Sequence, residues 1–165
     1  MVKSIERIIE YWALIGGVLL ILIVAVTSWN VGAFTLDRIA RIFGSNVGAL
    51  PGYEDFVRLI ISVAALMFFP YCQLKRGHVA VELFVARFSN SFREKIDQTW
   101  LVATTGLALF LMYWMIKGVA ETFSDGVLSP VLGVPEWPFY IPGIVSLFLW
   151  AVVATLQVFE GQKNV

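Results

Sequence analysis

The sequence predicts an all-α membrane protein: four transmembrane helices with in-plane amphipathic helices, and both termini in the cytoplasm. Three observations lead there. Apolar residues make up 59% of the 165 and charged residues only 15%, against roughly 45–50% and 25% in a soluble domain. Four uncharged runs recur along the chain, each comparable to the roughly 20 residues that cross about 30 Å of hydrocarbon. Lysine and arginine are shared unequally between the segments on alternate sides of those runs.

The uncharged runs cover residues 11–36, 59–74, 98–116 and 137–159, lengths of 26, 16, 19 and 23. The second is short, so its helix is expected to begin near Tyr53 and to carry Glu54, Asp55 and Arg58 at headgroup level. Spans are therefore predicted at about 11–35, 53–74, 98–118 and 137–159, in one module covering 1–165. A charge at a helix centre costs about 2.5–3.5 kcal/mol on the insertion scale, and none of these runs contains one. A cleaved leader does not explain the first run, which is far longer than about 15 residues and is closed by no Ala-x-Ala site.

Eight cations flank the runs on one side: Lys3, Arg7, Lys75, Arg76, Arg87, Arg93, Lys95 and Lys163. The other side has four, Arg38, Arg41, Arg58 and Lys117. The richer side is the cytoplasmic one. Tyr11, Trp12, Tyr71 and Trp100 are then expected at the inner interface, and Trp114, Trp137 and Tyr140 at the outer one. Trp150 fits neither belt and is expected to pack against a helix.

Two connections have helical amphipathic spacing. In residues 36–43, Leu36, Ile39, Ala40 and Phe43 share one face, and Asp37, Arg38 and Arg41 take the other. In residues 81–92, Val81, Phe84, Val85, Phe88 and Phe92 oppose Glu82, Ser89 and Arg93. Stripes of this kind lie in the interface plane, and Ile5, Ile8, Ile9 and Trp12 form a similar one. Residues 44–52 are rich in turn formers. Pro130, Gly133 and Pro135 mark a loop over 122–137, and Pro138 and Pro142 flank the start of the last span, where a missing donor costs little.

Composition also excludes functions. Twelve basic residues offset twelve acidic ones, so no net positive field draws nucleic acid. One cysteine and one histidine, Cys72 and His78, supply neither an internal disulfide, nor a Cys-rich metal site, nor paired haem ligands. No cofactor is expected, and no enzymatic activity. No acid lies at membrane depth, where a proton-coupled carrier needs one. Thr27, Ser28, Asn30, Ser62, Thr104, Thr105, Ser146 and Thr155 are the polar residues noted in the spans, and they are read as helix-contact residues satisfied by their own helix carbonyls. Ala13 and Gly17 form one small-xxx-small pair that allows close helix approach. Glu54 and Arg58 stand four apart in the acid-first order of a helical ion pair; at headgroup level they could equally meet a partner or a lipid.

The most specific stretch is Lys75-Arg76-Gly77-His78-Val79-Ala80-Val81-Glu82-Leu83. Its physical reading is a stop on the inner side: cations for the phosphate layer, a glycine to turn the chain, then an in-plane segment. A basic pair followed by Gly-His-Val-x-Val-acid-Leu after the second of four helices resembles the small membrane subunit of tripartite ATP-independent periplasmic (TRAP) transporters. The Glu54–Arg58 start of the second helix and the stretch from Pro135-Glu136-Trp137-Pro138 to Ile141-Pro142-Gly143 are similar to that family as well.

The resemblance implies a multi-pass subunit of a bacterial inner membrane that pairs with a larger membrane subunit. A periplasmic binding protein delivers an organic acid, a sodium gradient drives uptake, the large subunit moves like an elevator, and the small one extends the fixed scaffold. Glu54, Arg58, Lys75, Arg76, Gly77, His78 and Glu82 are the candidates for contact with the large subunit or with membrane phospholipid. Asp37, Arg38 and Arg41 are the candidates for contact with the periplasmic protein. The competing classes are the membrane anchor of a quinone-linked enzyme and a self-associating small carrier.

Overall fold

A computed structural model of the chain describes residues 2–46, 48–75 and 90–163. Among them, four helices are long and apolar enough to cross a membrane, and no strand is present.

The first helix, α1, runs without interruption over Val2–Ala40 and tightens into a 3-10 turn at Arg41–Phe43. Its 39 residues make about 58 Å of helix. Two predicted in-plane segments therefore do not exist as separate elements: residues 36–43 and the N-terminal stripe of Ile5, Ile8, Ile9 and Trp12 both belong to this one rod and its terminal turn. The reason is local. No proline occurs between Val2 and Phe43, and a formed helix propagates cheaply until something stops it. Gly44 does so: at φ 73° it takes a left-handed conformation, its N–H returns to Arg41 O, and that of Ser45 to Ala40 O.

The second span is broken in two. Helix α2 covers Tyr53–Met67, and α3 covers Phe69–Leu74. Pro70 near the start of α3 has no N–H to continue the ladder and its ring crowds the preceding turn. Phe68 marks the joint, bonding back to Ala65 O at 3.3 Å. Helix α4, Asn90–Ser124, extends beyond the predicted 98–118 at both ends through charged turns. A 3-10 turn at Trp137–Phe139 leads into α5, Tyr140–Lys163. The predicted in-plane helix over 81–92 lies outside the described residues as far as 89, and its last residue, Phe92, sits in the opening turn of α4.

The helices pack as a row. Helix α1 lies on α2 and α3, these lie on α5, and α5 lies on α4. The core forms where α4 meets α5: Ala108, Leu147, Trp150 and Ala151, with Leu66, Met112 and Met115 packed around them. As predicted, Trp150 is an interior residue, 8% exposed and edge-on to Phe69 at 5.0 Å.

Two close approaches set the row's spacing. A Cβ on Gly16 of α1 would stand 3.0 Å from Met67 Cβ and 3.3 Å from Ala64 O of α2. The small pair at this crossing is thus Ala13 with Gly16, both buried. The expected partner, Gly17, faces away, and a Cβ there would meet nothing within 4 Å. On α5, a Cβ at Gly143 would stand 2.7 Å from Met115 Cε and 3.0 Å from Leu66 Cδ1.

Candidate interface sites at the two ends of the row

One end of the row holds the described parts of the connections after α1 and α4, and the other holds the start of α1 and the end of α5. At the loop end, Asp55 organises the connection after α4. It is 6% exposed, and its carboxylate accepts the N–H groups of Val131 (2.7 Å) and Leu132 (3.1 Å). The loop reinforces itself. Ser129 N–H donates to Val134 O, the Val134 N–H donates to Ser129 Oγ, and Glu136 N–H donates to Val127 O. Leu132 presses on Gly52, where a Cβ would come within 2.5 Å of Leu132 Cδ2 and where φ is 79°. Any other residue there is strained twice over. Asn30, fully buried in α1, accepts the Leu50 N–H at 2.8 Å and ties the first connection down.

Arg58 lies one turn beyond Asp55 and does not follow the helical expectation. It pairs with Glu136, 78 positions away, at the threshold of α5. Glu54 is exposed and accepts a bond from the Tyr53 hydroxyl. The predicted Glu54–Arg58 pair is thus replaced by a tertiary one, because the loop held by Asp55 brings a less exposed carboxylate within reach. Beside this pair, a cleft of about 330 Å³ opens between α2, α4 and α5.

Of the candidates for contact with the periplasmic protein, Asp37 and Arg41 form an i,i+4 pair at 2.8 Å, and Arg38 is exposed. With Phe34 and Thr35 they line a shallow open depression. Phe43 and Ile42, 80% and 78% exposed, cap the same tip.

At the terminal end, Lys75 reaches Glu10 of α1 at 3.3 Å and lies over the Tyr71 ring. The rest of that motif, with Arg76, Gly77, His78 and Glu82, lies outside the described residues.

Just inside Lys75 is a buried amide clasp. Gln73 Nε2 donates to Gln157 Oε1 (2.7 Å), Gln157 Nε2 donates to Gln73 O (2.9 Å), and Trp150 Nε1 donates to Gln73 Oε1 (3.2 Å). Sequence reasoning missed both glutamines, although each interrupts an apolar run, because a search for charge passes over amides. It placed Asp55 at headgroup level at the start of the second helix but missed its hold on the loop backbone. The hydroxyls behave as expected at Thr105, Thr155 and Ser146, which bond to carbonyls four residues back. Ser146 has an added role, accepting the Trp12 indole N–H at 2.8 Å. Trp12 thus joins α1 to α5.

Residues 31–164 match one family model, that of the DctQ component of tripartite ATP-independent periplasmic transporters. The chain belongs to the DctQ family. The match takes in the C-terminal part of α1 and nearly everything after it, including the Lys75–Leu83 motif, and it makes the chain a multi-pass small membrane component of a TRAP transporter. DctQ membership implies association with a large TRAP membrane subunit and a periplasmic binding protein. No curated protein and no solved structure matches the chain.

Proposed function

We propose that this DctQ chain is the non-catalytic scaffold of a TRAP importer in a bacterial inner membrane. It binds the large membrane subunit, which handles substrate and sodium and moves like an elevator, while a periplasmic protein delivers an organic acid. Both termini face the cytoplasm, as the eight-to-four distribution of cations indicates. On this reading the loop end, with Asp37, Arg38 and Arg41, faces the binding protein. Lys75 and the motif it opens face the inner headgroups and the large subunit.

The observation that supports the scaffold role most directly is where the buried polar groups point. Asp55 is bonded to a loop backbone, Gln73 to Gln157, and Ser146 to Trp12. Each joins one element to another. A carrier needs ionisable or polar groups aimed into a pathway, whereas a scaffold needs helices fixed to each other. The test is uptake in vesicles. Large subunit, binding protein and this chain together should accumulate the acid in a sodium gradient, and omission of this chain should abolish uptake. Undiminished uptake without it, or uptake by this chain alone, overturns the proposal.

A further inference from the structure

The cleft between α2, α4 and α5 is a feature that the scaffold role does not require. Its wall along α2 is graded. Arg58, Ser62 and Leu66 are spaced by four residues and line the same cleft, so charge, hydroxyl and hydrocarbon succeed one another over about 12 Å of helix. Val63 and Met115 continue the apolar part, and Gly143 leaves Leu66 and Met115 room against α5. At the mouth, Arg58 is paired with Glu136, and the Arg58 side chain is still 54% exposed. A cation and an anion therefore stand side by side above an apolar slot.

We infer that this cleft binds one phospholipid with a zwitterionic ethanolamine headgroup. The phosphate sits on the Arg58 guanidinium and the ammonium on the Glu136 carboxylate. The glycerol-ester level is at Ser62, and the first part of one acyl chain lies along Val63, Leu66 and Met115. Along the Arg58–Ser62–Leu66 row the order of polarity is the order of polarity down such a lipid, with Leu59, Phe139 and Tyr140 completing the lining. The paired charges favour a headgroup that carries both signs: an anionic glycerol headgroup would leave Glu136 facing a net negative ligand. A volume of about 330 Å³ is at the lower end of ligand-sized sites, enough for part of one chain. The inference does not depend on the identity of the large subunit or of the transported acid.

The test is native mass spectrometry of the full chain. The protein is released from nanodiscs holding equal amounts of phosphatidylethanolamine and phosphatidylglycerol. The wild type should retain one phosphatidylethanolamine. Ser62→Phe, which fills the slot and leaves Arg58 and Glu136 in place, should cut its occupancy at least tenfold with helix content and melting temperature unchanged. Ser62→Ala should retain it. Arg58→Gln should lose it, and Glu136→Gln should erase the preference over phosphatidylglycerol.

Equal retention of the two lipids by the wild type, retention in Ser62→Phe, or no retained lipid overturns the inference. So does disulfide trapping of Ser62→Cys, in a Cys72→Ala background, by a large-subunit cysteine in the assembled complex, since a protein helix would then occupy the cleft.

Discussion

Helices α4 and α5 pack on each other, yet they are built for different surroundings. In the apolar window of α5, 39% of the residues are buried, against 11% in α4. Hydrophobicity does not explain the difference, because both are apolar enough to span. Side-chain size and amide placement do. Beside the larger Leu147, Trp150 and Val153, the interior face of α5 carries Gly143, Ser146, Ala151, Ala154 and Gln157, small or hydrogen-bonding groups that let neighbours approach. The open faces of α4 carry Phe110, Tyr113 and Trp114, all more than half exposed. Lipid is as apolar as a leucine, so helix association in a bilayer depends on fit and on hydrogen bonds rather than on burial of greasy surface. A central helix and a flanking helix are told apart by what is small and what is polar.

That contrast makes graded predictions. Gly143→Val is expected to do the most damage, because its new methyls enter space held by Met115 and Leu66. Overpacking of this kind costs about 1–3 kcal/mol, and it should lower the detergent-unfolding midpoint and loosen α5 from α2 and α4. Gln157→Leu comes next. It removes the acceptor for Gln73 Nε2 and the donor to Gln73 O, and interhelical bonds in membranes are worth about 0.6 kcal/mol on average, up to about 1.7. A loss of about 1 kcal/mol by the same assay is expected, with part recovered in the double variant Gln73→Met/Gln157→Leu. The smallest effect belongs to α4. Gly106 is exposed, and a Cβ there meets nothing within 4 Å, so Gly106→Ala should be neutral or stabilising by up to about 1 kcal/mol. If Gly106→Ala matched Gly143→Val in damage to the isolated chain, the contrast between flank and centre would collapse.

The number of spans and their approximate limits were legible because the bilayer imposes a one-dimensional rule, that charges stay out of the middle. Tertiary choices obey no such rule. Arg58 had two carboxylates to choose from, and the helical spacing pointed to Glu54. The bond goes to Glu136 because Asp55 folds the distant loop back over α2. The joint at Phe68 was written in Pro70, but the charge-free run around it reads as one continuous helix. Residues 36–43 show the opposite error: their amphipathic pattern suggested a bend, while the backbone had no reason to stop before Gly44. Gly16 and Gly17 are adjacent and identical, and only the face that α1 turns toward α2 decides which one is needed.

The 26 uncharged residues of α1 amount to about 39 Å of helix, whereas the bilayer's oily layer is about 30 Å thick. The 23 of the last span come to about 34 Å, a closer match. One flank of the molecule is thus oversized for its solvent, and the surrounding lipids must stretch or the rod must lean. Either response costs a fraction of a kcal/mol per ångström, an elastic debt carried while that flank faces lipid. A neighbour of matching height laid along α1 would remove that cost, whereas the last span has little of it to lose.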